Sequence, residues 1–385
     1  MILRVTSSTI LKVAFLCLVI GNSSALTLLK INSIFEGIAY AFLVLLMIKS
    51  GRNRFIISIS RWMFIMIVSI MLLIGLCIQE LDLNIKCRLI LSMFLIIFFF
   101  FMPKYGMKQF RLEDISYGLA IGIIIDIILS IIFGTDLFSF ATEGVGVDFG
   151  FNGGLQHKNY YGITCLSIFM CSFLANRIDY RESHKYLIWA SVLGLILSNS
   201  RTVYLLLFIF VIIVNFDSPM RRIVKRNVSI YYIIFMLFIC TLFAIYYFYI
   251  QKSESLLIRY SGLFNYLDYL DDYTSLFFGY AEIGFSDEDI SYEESVRSII
   301  GWDGTTELSY LSVVLKNGLV GVMAYVLVFL DKLIIITSLK KNKIYSLAVL
   351  MVVIFSSFVE NYIVNFHIAF MPASMCLLGM LENDD

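Results

Sequence analysis

Long apolar runs alternate with short polar stretches along the chain. A helix that crosses a bilayer needs about 20 mostly apolar residues. Such runs fall at roughly 9–29, 32–49, 60–78, 87–102, 115–134, 160–176, 186–199, 202–216, 230–250, 309–331, 343–360 and 362–381. The pattern predicts an all-α polytopic integral membrane protein, a single membrane domain over 1–385 with about twelve transmembrane helices. The runs at 186–199 and 202–216 are short and are split by Asn199, Ser200 and Arg201. They read as two short spans or one broken one. The N-terminus, with Arg4 and Lys12, an apolar run and then NSSA at Asn22–Ala25, has the outline of a signal peptide. A retained first span is the simpler reading, because a second apolar run follows at once.

The basic residues set a direction. Lys and Arg gather in connections that stay on the cytoplasmic side. With the N-terminus inside, the even-numbered connections should be basic. They hold Lys49, Arg52 and Arg54; Lys104, Lys108 and Arg111; Arg177, Arg181 and Lys185; Arg221, Arg222, Lys225 and Arg226; and Lys340, Lys341 and Lys343. Both termini are therefore expected in the cytoplasm. Three polar stretches are expected on the outer face. They are Gly150–Gly162, the break around Ser200, and one large extracytoplasmic loop at 251–308. A loop of that length in a compact protein is usually functional.

Composition sharpens the class. The chain is 60% hydrophobic and 15% charged, against about 25% charged in an ordinary soluble domain. Its net charge is zero, so bulk charge points to no nucleic-acid partner. The seven cysteines are scattered, with no CxxC pair and no Cys/His ligand spacing. They read as packing residues, and neither a metal nor a cofactor is expected.

The polar residues that interrupt this pattern are the candidate chemistry. GFNGGLQHKNYYG, Gly150 to Gly162, offers glycines for close backbone approach, then His157, Lys158 and Asn159 where a helix opens. Lysine charge and free helix N–H groups suit an anion. A headgroup-facing lysine is the plainer reading. In Ser198-Asn199-Ser200-Arg201-Thr202, Arg201 sits between two apolar runs. There it either snorkels to headgroups or lines a watery cavity. The loop at 251–308 carries twelve acidic residues against Lys252, Arg259 and Arg297, with many tyrosines. Such a surface suits sugar hydroxyls and faces. Glu307 stands at the mouth of the tenth span, where a carboxylate is placed to act as a general base or simply to favour the helix dipole. Gly318 and Gly321 follow on what reads as one packing face of that helix. Asp126 lies mid-span. Glu360, Asn361, Asn365 and His367 gather near the outer end of the last two spans.

Four motifs together resemble the O-antigen polymerase and O-antigen ligase superfamily, which includes capsular polysaccharide polymerases. They are G-x-x-HKN-x-x-G (Gly154, His157, Lys158, Asn159, Gly162) and the S-N-S-R-T break at Ser198–Thr202. They continue with Arg259 followed by the Phe278-Gly279-Tyr280 turn, and with Glu307 nine residues and one leucine ahead of G-x-x-G at Gly318 and Gly321. Ligases of this superfamily carry a histidine where this chain has Glu307, so the resemblance favours a polymerase.

The resemblance implies a GT-C-like glycosyltransferase in the bacterial cytoplasmic membrane. Its substrate would be an undecaprenyl-diphosphate-linked oligosaccharide, and its pathway partners a flippase and a chain-length regulator. Catalytic roles would fall on Glu307, His157 and Arg201. Substrate binding would fall on Lys158, Asn159, Arg259, Tyr310 and Glu360. Two alternatives stay open. One is a ligase with the same donor site. The other is a flippase or transporter, for which broken helices and charges within the spans would be expected.

Overall fold

A computed structural model describes residues 6–51, 58–79, 83–143, 146–215, 265–268, 270, 273–279 and 309–383. The expected span at 230–250, Arg259, Glu307 and most of the expected loop at 251–308 lie outside the described residues.

The described chain is mostly helical. In order it forms α1 (Ser7–Ile20), α2 (Ser24–Leu28), α3 (Asn32–Gly51), α4 (Ile59–Ile78), α5 (Leu83–Phe101), α6 (Pro103–Gly106), α7 (Leu112–Phe133), β1 (Phe138–Glu143) and β2 (Gly146–Phe151). It continues with α8 (Lys158–Ile178), α9 (Glu182–Ser198), α10 (Arg201–Asn215), α11 (Tyr273–Phe278), α12 (Ser309–Ser338), α13 (Lys343–Ser356) and α14 (Phe370–Leu381). Five of the described helices are long and apolar enough to cross a membrane, and four shorter ones are apolar. Large apolar side chains stay exposed in helical stripes. Leu319, Met323, Val326, Leu330 and Ile334 form one on α12, and Ile121, Ile124, Ile128 and Ile131 another on α7. Water would not tolerate apolar surface of this extent, so these stripes are lipid-facing, as in an all-α membrane protein.

The core is built on α8. It is the least hydropathic of the five long helices, yet 78% of its apolar window is buried. Small residues explain this. Gly162, Thr164, Cys165, Ser167, Cys171 and Ser172 bring its neighbours close, and the serine and threonine hydroxyls can bond their own helix carbonyls. Ser167 Oγ does so to Ile163 O at 3.0 Å. The α1–α7 contact uses the same means. A Cβ at Gly118 would fall 2.5 Å from Lys12 O, and one at Gly122 would fall 2.7 Å from Val19 Cβ. This small-xxx-small spacing lets two backbones meet.

Helix ends collect at two opposite sides of the bundle. At one side the pairs are ionic: Lys12–Asp114 (3.2 Å), Arg181–Glu113 (3.0 Å), Lys332–Glu382 (3.2 Å) and Arg61–Asp331. At the other, largely non-ionic side, the contacts run through amides, hydroxyls and carboxylates, with His367–Glu36 (2.7 Å) as an exception. Helices α9 and α10 are antiparallel. Asn199 turns the chain between them at φ 48°, and Asn215 at the end of α10 comes back to Arg177 at the end of α8. The stretch 186–215 is therefore two helices that run in opposite directions rather than one broken helix.

Three features differ from the sequence expectation. The run 9–29 is divided at Gly21–Ser23. There Asn22 turns out of helical pairing, its Nδ2 donating to the carbonyls of Leu18 and His367. The last run starts its helix only at Phe370, because residues 357–369 form an irregular segment bonded to other helices. A β-hairpin replaces part of the expected irregular connection. It pairs Phe138 with Phe151 and Ser139 with Gly150, and the Phe138, Phe149 and Phe151 rings pack together with centroids 5.2–5.3 Å apart.

Candidate functional site

The irregular segment 357–369 is a hub on the non-ionic side. Beyond Glu360 much of its backbone lacks helical partners, and other elements supply several. Tyr40 OH on α3 donates to Phe366 O, and Asn22 Nδ2 donates to His367 O. Ser309, at the start of α12, donates to Glu360 O through both its N–H (3.3 Å) and its hydroxyl (2.9 Å). The same hydroxyl accepts the Ile363 N–H at 3.2 Å.

The half-buried Glu360 carboxylate faces the helices that carry the two polar motifs. Its Oε1 accepts from Asn159 Nδ2 at 3.0 Å and, at the limit of a hydrogen bond, from Thr202 Oγ1 at 3.5 Å. Asn159 opens α8, and Thr202 sits in the first turn of α10, beside Arg201. Two expected site residues, Asn159 and Glu360, thus meet directly, and Arg201 is next in sequence to the Thr202 that reaches the same carboxylate. Tyr310 follows Ser309 at the same place, its ring 5.6 Å from that of Phe358. Thr202 and Ser309 make contacts that the sequence reading did not assign. Their signal was a hydroxyl residue at a helix start, which is too common to stand out.

The cations differ in setting. Arg201 is exposed and makes no ion pair among the described residues. Lys158 is 5% exposed. Its stem lies over the hairpin: a Cβ at Gly150 would meet Lys158 Cδ at 2.6 Å and Ser198 O at 2.3 Å. Asn199 Nδ2 donates to Phe149 O at 2.9 Å, so the hairpin and the α9–α10 turn are tied together next to Lys158.

His157 is the N-cap of α8. Its Nδ1 accepts the Asn159 N–H at 3.1 Å. A neutral ring then carries its proton on Nε2. The Tyr160 N–H is also taken, by His157 O at 3.0 Å. The opening of α8 therefore offers fewer free N–H groups to an anion than the motif suggested, and side-chain cations carry more of that task. Among the described residues no cluster of three or more His, Cys, Asp or Glu is placed to hold a metal.

At the edge of the hub, His367 Nδ1 lies 2.7 Å from Glu36 Oε2. That hydrogen bond raises the His367 pKa, against desolvation and the nearby Lys316 charge. A raised histidine stabilises the fold below its unfolded value of about 6.5, and that contribution is lost as pH rises through the higher folded value. The unfolding midpoint of the detergent-solubilised protein should fall over this window. His367→Gln should flatten that part of the profile. The effect will be small, because the ring is 71% exposed.

In comparisons with known proteins, no family model and no curated sequence matches the chain.

Proposed function

We propose that the chain is a glycosyltransferase that polymerises undecaprenyl-diphosphate-linked oligosaccharide repeat units into O-antigen, capsular or exopolysaccharide. It would act at the outer face of the bacterial cytoplasmic membrane, through twelve spans with both termini inside. One observation carries the reading: the openings of α8, α10 and α12 converge on Glu360. Three of the four motifs that resemble the superfamily lead into these openings, and the convergence lies on the side opposite the ionic pairs.

In this reading the non-ionic side faces outward. The growing chain is bound through its diphosphate. A hydroxyl of the incoming repeat unit attacks the anomeric carbon of the chain's first sugar. The new glycosidic C–O bond forms as the C–O bond to the diphosphate breaks. Undecaprenyl diphosphate leaves with the electron pair, and the hydroxyl proton passes to a base, for which Glu307 and His157 are the candidates. Arg201, Lys158 and Arg259 are the cations assigned to the charge that develops on the leaving group, where preorganised electrostatics matters most. Asn159, Tyr310 and Glu360 are assigned to the glycan.

A second reading, a transporter of lipid-linked oligosaccharide, is favoured by two features. Helix α12 breaks at Gly318, and Asp126 and Lys316 lie within helices.

A deletion strain complemented with wild type or Arg201→Ala separates these readings, with surface glycan resolved on a gel and membrane accumulation checked. The polymerase reading expects single repeat units in place of polymer, both in the deletion strain and with a normally accumulating Arg201→Ala. Long polymer retained on the lipid carrier would mean a ligase. Lipid-linked units trapped on the inner face would mean a transporter, and would sink the catalytic assignments.

A further inference from the structure

Asp126 is a sequence-flagged residue that the proposed reaction does not use. It is 0% exposed, in the middle of α7, and neither carboxylate oxygen has a hydrogen-bond partner among the described residues. Two further fully buried oxygens without partners stand beside it: Ser23 Oγ and Ser130 Oγ. Ser130 is one helical turn further along the same face of α7. Ser23 sits where α1 is interrupted, close enough to the Asp126 carboxylate to act on it electrostatically.

The Gly153–Gly154 turn closes over this group. A Cβ at Gly154 would fall 2.1 Å from Ser130 Oγ and 2.9 Å from Asp126 O. Gly154 O accepts the Ser24 N–H at 2.9 Å, and the Gln156 N–H reaches Asn22 O at 3.1 Å. The α1 interruption, α7 and the loop leading to His157–Asn159 therefore meet at four unpartnered oxygens.

Four buried oxygens carrying one formal negative charge are costly unless something satisfies them together. A proton would neutralise the carboxylate and give it one O–H to donate to a single hydroxyl. A cation at their centre answers all four. The donors are hard oxygens with a single carboxylate, so the charge balances a monovalent ion. Divalent calcium takes 6–8 oxygen ligands, usually with several carboxylates among them. An interrupted helix beside a buried acid is also the setting in which membrane proteins hold sodium.

We propose that Asp126, Ser23 and Ser130 form a sodium-ion site that fastens the interruption of α1 to α7 beneath the Gly153–Gly154 turn. The ion is structural and stands apart from the proposed glycosyl transfer.

The test is thermal unfolding of the purified full-length protein in detergent, in NaCl, KCl or choline chloride at constant ionic strength. The wild-type midpoint should rise with Na+ above its level in K+ or choline. Above the dissociation constant, each tenfold step in Na+ should add the same increment of stability. Asp126→Asn, which keeps the side-chain shape, and Ser130→Ala should abolish the Na+-specific rise. A wild-type midpoint that is the same in all three salts, or that rises equally with K+, overturns the proposal. So does a Na+-specific rise that survives in both variants. The wild-type salt series needs no variant, so a variant that fails to fold leaves the proposal testable.

Discussion

Gly318→Ala should leave little folded protein in the membrane, whereas Gly37→Ala should be neutral or slightly stabilising. Gly318 interrupts α12 with φ 62° and ψ −163°, a region of backbone space that essentially only glycine enters. Forcing another residue there costs about 1–3 kcal/mol before any contact is counted. The contacts are worse. An alanine Cβ would fall 2.3 Å from the carbonyl carbon and oxygen of Phe277 and 2.5 Å from the Phe278 nitrogen. These are backbone atoms of α11 and cannot rotate away.

The break exists to let α11 lie against α12. Gln79 Nε2, at the end of α4, donates to Phe278 O (3.0 Å) and Gly279 O (2.7 Å). Asn317 Nδ2 donates to Leu72 O at 2.8 Å from a buried position. A continuous helix would displace α11 and strand these amides. Gly37, within α3, has nothing within 4 Å of its hypothetical Cβ, so alanine there gains helix propensity of up to about 1 kcal/mol. Membrane-fraction yield and the unfolding midpoint of the two variants, measured side by side, check this. Equal behaviour would mean that α12 runs through Gly318 unbroken.

How far the sequence foretold these features depends on their range. Helices α7 and α8 lie within a few residues of the expected runs, because a long apolar stretch leaves its backbone one way to satisfy itself in lipid. The β-hairpin went unread although its pattern was present. Phe138 and Phe140, then Phe149 and Phe151, alternate with small or polar residues, but the stretch was read as a polar connection between two spans. Gly318 and Gly321 were read as a packing face. The spacing G-x-x-G is the same for packing and for a break, and only the φ of Gly318 separates them. The meeting of Asn159 with Glu360 spans 201 residues, and no local spacing encodes that. Polar residues near helix ends were legible as a set. Which of them touch was not, because that follows from how the 357–369 segment folds across the bundle.

Glu360 gives the sharper test of the site, because two substitutions separate its structural role from a chemical one. Glu360→Ala removes the acceptor of the Asn159 amide. Hydrogen bonds to a charged group are worth about 1.5–3 kcal/mol, roughly a 10–100-fold shift in the population of the assembled site. The openings of α8 and α10 would lose their shared partner. The opening of α12 would keep its own, because Ser309 bonds the Glu360 backbone carbonyl, which alanine retains. The variant should therefore accumulate with a lowered unfolding midpoint and make little polymer. Glu360→Gln keeps an oxygen for Asn159 and gives up the charge, so its midpoint should sit between those of wild type and Glu360→Ala. If Glu360→Gln makes polymer in proportion to its stability, the carboxylate only anchors α8 and α10. If it melts close to wild type yet makes no polymer, the negative charge itself is used, as an acceptor for sugar hydroxyls or as a counter-charge that holds Arg201 in place. Both variants can be compared in the same deletion strain, with polymer length on a gel read against membrane yield. Full-length polymer from a normally accumulating Glu360→Ala would remove the convergence at Glu360 from the active site altogether.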